Sequence, residues 1–572
     1  MMSSSILDMF MSGGTLSHYQ KAVPVTDDVR INRLPISHKD DTPDYTDKYK
    51  TNEGTMKLRH IQNSMLHEFE KTNGLVALAG CGTGKTLTTF LLPSVCQAVK
   101  PLLIVPASLR EKTKMEWGGY AKHFKIKPIE VISYEQIQTP KGKDLLSTIA
   151  PDLIICDEAH YIKNLRSARA SRIGLYLHRN PNTKFVVLSG TLLNKSIADI
   201  AHLSDWSLLD RSPFPRDKRQ VQVWDRLIDG QASGFEYIEF KRHWQVDGLA
   251  VKESIFKRLS TCDGVVLTGK DVVSSSLNLY GKSERIPKSL IKAINEVFAA
   301  KLMADALGDF QLDMQMIENS QHLWKDVDAF ALRAYSQMMM GFLYVWDWQG
   351  QPDEEWLSAR SMYGKAIRQV LDLELEGIDS PAMVEQNIDL LPESFQKFFY
   401  MAKKEWELHK HKEKPPTKCL WLDDYFVNAI KSWVKKREDD QAFIIWVGMS
   451  ELGNRLEQEL GIPYYRGGTE IPKEIAHRCI ASIKSHGTGK NLQAWNINLV
   501  AHPLSDPATW EQLIARTHRH GQEADEVELH YFKHGLFGSA MWKARQGADT
   551  ISRITGQEQR LTYATYGDEN GW

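Results

Sequence analysis

The sequence predicts an α/β protein with two lobes, each a parallel sheet with helices on both faces, plus mostly helical insertions. Three observations predict it. Short unbroken apolar runs recur at 75–79, 102–105, 129–132, 153–156 and 185–188. Such runs mark strands buried on both faces of a parallel sheet, where strands with one wet face would alternate in polarity. Between them lie stretches with helical spacing, as at Leu87, Phe90, Leu91 and Val95, and strand–helix alternation favours a doubly wound sheet. A second set of runs, at 443–447, 479–483, 497–501 and 527–532, repeats the pattern near the C-terminus.

In chain order, residues 1–50 read as a loosely ordered arm, rich in Ser, Thr, Asp and Pro without sustained period. Residues 51–265 read as the first lobe, with a helical protrusion at about 207–260. The stretch 266–425, rich in Trp, Met, Phe and Gln, reads as linker and helical insertion; Phe395, Phe398, Phe399, Ala402 and Trp406 share one helical face, and HKHKEKPP (409–416) reads as a helix end. Residues 426–545 form the second lobe and 546–572 a C-terminal extension.

Composition narrows the class. At roughly 100–200 residues per domain, 572 residues imply several domains, and 42% hydrophobic with 25% charged residues excludes a disordered, collagen-like or disulfide-miniprotein chain. The longest apolar runs, near 338–346, are about half the ~20 residues a membrane span needs, so no membrane partner is expected. Six scattered cysteines without a C-x-x-C pair point to reduced thiols in a cytoplasm, and the start MMSSSILDMFMSGG reads as no secretory signal. A net charge of −1 means that any polyanion is held by local patches.

The strongest local signal is LVALAGCGTGKT. An apolar strand runs into Gly80, Cys81, Gly82, Thr83, Gly84, Lys85 and Thr86, and a helix begins. Glycines let backbone N–H groups curl around a phosphate chain, the lysine reaches the β- and γ-phosphates, and the Thr86 hydroxyl can ligate magnesium. The common G-x-x-x-x-G-K-[ST] pattern has glycine where this chain has Ala79. The second signal is DLIICDEAH, which places Asp157 and Glu158 at the C-terminal end of a strand, where ligands bind in open α/β sheets. Beside Mg-ATP, Asp157 would hold the metal and Glu158 would orient or deprotonate water.

Taken in order, these motifs resemble the superfamily 2 helicases, and within them the Swi/Snf-type DNA translocases. LRHIQ (58–62) resembles the adenine-reading glutamine motif, LLIVPASLREKTKMEW (102–117) motif Ia, ISYEQI (132–137) Ib, DEAHYIKN (157–164) motif II and LSGTLLN (188–194) motif III. In the second half, YYRGG (464–468) sits in the motif IV region, HGTGKNLQAWN (486–496) resembles motif V and QLIARTHRHGQ (512–522) motif VI. The segments 331–348 and 563–566 look like bacteriophage members of that family.

The resemblance implies two RecA-like lobes of the P-loop NTPase kind and an ATP- and Mg2+-dependent enzyme. It places Gln62 on adenine and the loop 80–86 on the phosphates. It makes Lys85, Asp157, Glu158, Arg516, Arg519 and Gln512 catalytic, with Arg516 and Arg519 as arginine fingers. Ser189, Gly190 and Thr191 would couple the nucleotide to nucleic acid, with Leu192 where the family commonly has proline. Ser108, Leu109, Tyr134 and Gly487 would contact the DNA backbone without reading sequence. His518 would orient its neighbours or pack, and Lys490 of motif V would touch a phosphate or stay solvated.

The basic group FKRHW (240–244) with Lys257 and Arg258 is a candidate DNA clamp or a solvated helix face. Trp346, Trp348 and Trp356 could stack bases but read better as core. His409–His411 reads as a basic turn, and Cys81 as a small filler residue.

The expected activity is an ATP-driven translocase on double-stranded or branched DNA, monomeric, in the cytoplasm of a bacterial host, serving phage replication, recombination or repair. The helical insertion and arm would take protein partners. The alternatives are a strand-separating helicase and, in another class, a nucleic-acid-binding scaffold with a vestigial ATPase.

Overall fold

A computed structural model describes residues 27–39, 41–80, 83–165, 167–190, 192, 196–228, 230, 250–268, 275–304, 329–348, 350–373, 378–472, 476–487, 491–519 and 521–567. They fall into two compact units. The first draws on Met1–Lys270, Ala359–Trp406 and Thr550–Glu558, the second on Asp271–Ser358, Glu407–Asp549 and Gln559–Trp572.

The first unit holds a six-stranded parallel sheet: β1 (Leu75–Leu78), β2 (Pro101–Val105), β3 (Glu130–Ser133), β4 (Leu153–Asp157), β5 (Lys184–Ser189) and β6 (Val265–Leu267), in the order β3-β2-β4-β5-β1-β6. Successive residues of a strand face opposite sides, and each side has its own core. Val76, Leu78, Ile104, Ile154 and Val187 join one, while Leu75, Ala77, Leu103, Ile155 and Val186 join the other. That double burial is why the strands read as continuous apolar runs.

The stretch expected as a loose arm is corrected from Asp27 on. Ile31, Tyr45 and Tyr49 are buried in these cores, and Arg30 donates to Phe214 O at 2.6 Å; residues 1–26 lie outside the described set. Arg258, a candidate DNA clamp, is likewise corrected. Its guanidinium donates to Leu34 O at 2.8 Å and Ile31 O at 3.2 Å, so it fastens this N-terminal stretch. Lys257 is exposed, and 240–244 lies outside the described residues.

Part of the helical middle belongs to the first unit. A cluster built on Ala366, Val370, Val384, Ile388, Phe399 and Ala402 fills its own small core. It is tied to the sheet by Arg172, which donates to Asp379 at 2.9 and 3.2 Å and to the Ile137 and Thr139 carbonyls at 2.6 Å each. Both side chains of the pair are nearly dry, at 6% and 8% exposure.

The second unit holds a seven-stranded parallel sheet. It begins with β7 (Ser276–Lys282) and, past a separate antiparallel pair of β8 (Phe342–Trp346) and β9 (Thr417–Trp421), takes in β10 (Ile444–Val447), β11 (Tyr464–Tyr465), β12 (Cys479–Ser482), β13 (Ile497–Val500), β14 (Glu526–Phe532) and β15 (Thr565–Gly567). The order is β11-β12-β10-β13-β14-β7-β15. Segments read as linker and C-terminal extension thus supply two of its strands. Trp346, Trp348 and Trp356 pack edge-on against one another at 5.5–6.0 Å, an aromatic cluster in which Trp356 is buried. Among the described residues, no helix is long and apolar enough to cross a membrane.

Removing one partner of a buried ion pair strands the other charge, at about 3–5 kcal/mol, whereas replacing both with apolar residues is often neutral. Arg172→Met is therefore expected to cost the first unit about 3 kcal/mol, and Arg172→Met/Asp379→Leu should recover most of it. Denaturant unfolding of the two variants checks this.

Candidate functional site

The loop after β1 gathers buried polar groups at the end of its strand. β1 is buried throughout, and Ala79 continues it, donating its N–H to Ser189 O at 3.1 Å. Ala79 does not have positive φ, so the alanine that replaces the usual glycine costs nothing in backbone conformation. Gly84, at φ +85°, turns the chain into the helix Lys85–Val95. Cys81 and Gly82 lie outside the described residues.

Lys85 is buried and folds back on its own loop, donating from Nζ to Ala79 O at 2.8 Å and Gly80 O at 2.9 Å. Thr83 Oγ1 also donates to Gly80 O, at 2.9 Å. Thr86 follows, half-buried, in the first turn of the helix. Gln62 sits against this loop from the helix His60–Thr72. Its Oε1 accepts the Arg59 N–H at 2.8 Å, capping that helix, and its Nε2 donates to Gly84 O at 3.0 Å. Both ends of the amide expected on adenine therefore engage backbone here.

Asp157 ends β4 in register with Leu188 of β5. Glu158, next along, is left-handed at φ 52°, a strained conformation for a residue with a Cβ. The Asp157 carboxylate accepts the Glu158 N–H at 3.0 Å. Burial, and Glu158 beside it, push Asp157 up to about 6 against the opposing pull of Lys85. A carboxylate so placed gains from a nearby cation. Together with the Thr86 hydroxyl and the Lys85 ammonium, it fits a magnesium–triphosphate group by donor chemistry.

His160 bridges two motifs: its Nδ1 lies 3.3 Å from Glu158 Oε2 and 3.4 Å from Ser189 Oγ. Gly190 follows Ser189, and a Cβ there would stand 2.9 Å from Ala79 O and 3.1 Å from Gly80 Cα. The Ser189–Gly190 turn and the glycine loop after β1 thus touch backbone to backbone. Thr191 lies outside the described residues.

Tyr134, expected against nucleic acid, is corrected. Its ring is fully buried, stacks on Tyr161 at 5.3 Å, and its hydroxyl donates to Asp157 O at 2.8 Å. It supports the acidic strand end from behind. Ser108 is exposed and Leu109 half-buried in the short turn Ala107–Leu109, where the Ala107 N–H donates to Glu135 at 3.0 Å.

In the second unit, the helix Pro507–Ile514 starts under an Asp506 cap and carries Gln512. Arg516 is buried and donates from Nε to Gln512 O at 2.8 Å; Arg519 bonds Asn491 Oδ1. His518 Nε2 lies 2.9 Å from Ser275 O, so this nitrogen carries the proton, and burial lowers its pKa. Gly487 ends the helix Ile483–His486. Thr488, Gly489, Lys490 and His520 lie outside the described residues.

Two residues here had no motif signal. Arg560 and Glu511 form an ion pair that is almost wholly dry, and the Arg560 guanidinium also donates to His518 O at 3.1 and 3.3 Å. Glu511 in turn accepts the Arg560 N–H at 2.7 Å. This fork holds the Arg516–Arg519 segment from beneath, and a separation of 49 positions hid it from any local pattern. Among the described residues, no group of three or more His, Cys, Asp or Glu could hold a metal by itself.

No protein-family model matches the chain, and no curated protein matches its sequence.

Arg560→Ala would leave Glu511 buried without its counter-charge, at about 3 kcal/mol or more. Arg560→Lys should rescue only part of this, since an ammonium cannot span Glu511 and the His518 carbonyl as a planar fork does. Thermal unfolding, with amide exchange followed at 516–519, reads both effects.

Proposed function

We propose that the chain is an ATP-dependent double-stranded DNA translocase of the Swi/Snf-like type, with two RecA-like lobes. The observation that carries this reading is the strand-end arrangement of the first unit. A glycine loop with a buried lysine follows β1, and the Asp157–Glu158 pair stands at the end of β4 in the same parallel sheet. The motif series supplies the rest.

In this reading, a bound magnesium ion would supply positive charge to the triphosphate. Lys85 leaves its loop carbonyls for the phosphate oxygens, exchanging two neutral acceptors for charged ones. Thr86 and Asp157 hold the metal. Glu158 orients or accepts a proton from the attacking water, with His160 positioned to steady its carboxylate. Arg516 and Arg519 neutralise charge that grows in the transition state, held in place by Gln512 and the Arg560–Glu511 fork.

His160 and Gly190 give the coupling reading a physical basis within the first unit. Any shift of the phosphate loop presses on Gly190, and any shift of Glu158 reaches Ser189 through His160. DNA would be held on its phosphates, with the exposed Ser108 and the backbone at Gly487 as contacts.

The test is ATP turnover with and without duplex DNA. Duplex should stimulate turnover, Lys85→Ala should lower it about a hundredfold or more, and the DNA affinity should fall steeply with salt. Turnover in Lys85→Ala equal to wild type, with no response to DNA, would overturn the reading. Triplex displacement without strand displacement on a forked duplex separates translocation from unwinding.

A further inference from the structure

We propose that Gln557 is a positioning residue of the phosphate loop, holding Gly80 and through it the affinity for a nucleoside triphosphate. This rests on the nucleotide reading above and adds a contribution that no motif contains.

The segment carrying Gln557 is built firmly into the first unit. It closes the helix Leu536–Thr555 and is fastened to the helix Val251–Thr261 at three points. Lys252 Nζ donates to Thr550 Oγ1 at 2.9 Å, Arg553 Nη1 lies 3.8 Å from Glu253 Oε1, and Gly556, at φ +68°, lies against the Phe256 ring. Ile554 is fully buried in the core that also holds Val76 and Leu78 of β1. Thr555 then fixes the turn, its hydroxyl donating to Ile551 O at 2.7 Å and accepting the Gln557 N–H at 3.2 Å.

So anchored, Gln557 is buried with its amide nitrogen 2.5 Å from where a Cβ on Gly80 would stand. Beside it is Thr268, just past β6, whose hydroxyl accepts the Gly80 N–H at 3.1 Å. Gly80 is thus gripped by two residues far away in the sequence. Its carbonyl is the acceptor shared by Lys85 and Thr83. Displacing Gly80 therefore displaces the resting position of the lysine that must meet the phosphates.

The test is equilibrium binding of ATP and of adenosine to the full chain without nucleic acid, with melting temperatures recorded in parallel. ATP binding by wild type that is lost in Lys85→Ala establishes the site; no ATP binding by wild type overturns the nucleotide reading itself. With the site established, Gln557→Ala should weaken ATP about threefold to tenfold, the modest loss expected when a packing contact behind the loop is removed. Gln557→Glu should weaken ATP further while binding adenosine as Gln557→Ala does, because an added carboxylate repels only the phosphates. Gly80→Ala should also weaken ATP, and Gly80→Ala/Gln557→Ala should bind no more weakly than Gln557→Ala alone, since the added methyl then meets no amide. ATP affinity in Gln557→Ala equal to wild type, additive losses in the double variant, or equal effects of Gln557→Glu on ATP and adenosine would overturn the inference while leaving the nucleotide site standing.

Discussion

The constraint on which the first unit depends is a contact of backbone on backbone where β1 and β5 end. The Ala79 N–H reaches Ser189 O, and Gly190 passes so close to Ala79 and Gly80 that no Cβ fits between them. The parallel register continues the constraint sideways, setting Leu78 opposite Ser189 and Leu188 opposite Asp157. The lysine loop, the acidic pair and the motif III serine are therefore placed by sheet geometry, not by loops that must each find their own position. Sites built on strand ends hold their geometry more tightly than sites on loops.

Each unit secures its most chemical segment with residues from elsewhere in the chain. Thr268 and Gln557 meet the glycine loop after β1 at Gly80, and Arg560 with Glu511 underpins the arginine segment. The physical reason is shared. A glycine-rich loop and a helix C-terminus both leave backbone N–H or C=O groups unbonded by their own element, and buried groups of that kind need partners from outside. The residues that end such a segment's freedom are thus chosen by space, not by sequence distance.

That explains what was legible in the sequence. The doubly buried strands β1, β2, β4, β5, β10 and β12 announce themselves as apolar runs, β13 as a run interrupted only by Asn498, β14 as one interrupted by Glu528 and His530, and the helix Glu393–His409 by its one apolar face. β7 does not, because it alternates: Leu277, Leu279 and Gly281 are buried, with more open residues between them. β6 and β15 have three residues each, too short for any period, and β8 lies inside a stretch whose Met-rich composition reads as helix. At the site, GTGKT and DEAH were readable because their chemistry is local. Tyr134 was misplaced because its motif gives the position along the chain but not the direction of the ring, which the Tyr161 stack and the Asp157 carbonyl decide. Arg258 was misjudged for the same reason: a basic residue on a helix reads as solvated until its acceptors, Ile31 O and Leu34 O, are seen.

The acidic strand end also shows why so much support gathers behind it. Two neighbouring carboxylates, one of them raised by burial and one on a left-handed backbone, are unfavourable for folding taken alone. Around them the chain sets interactions with the backbone and the rings behind the pair. The Tyr134 hydroxyl fixes the Asp157 carbonyl, the Tyr134–Tyr161 stack fills the space beneath, and Arg169 lies 5.2 Å over the outer ring. None of these neutralises Asp157. A salt bridge in their place would steady the fold and quench that negative charge. Support that acts on the backbone and the rings leaves that charge in place beside the strained left-handed turn at Glu158.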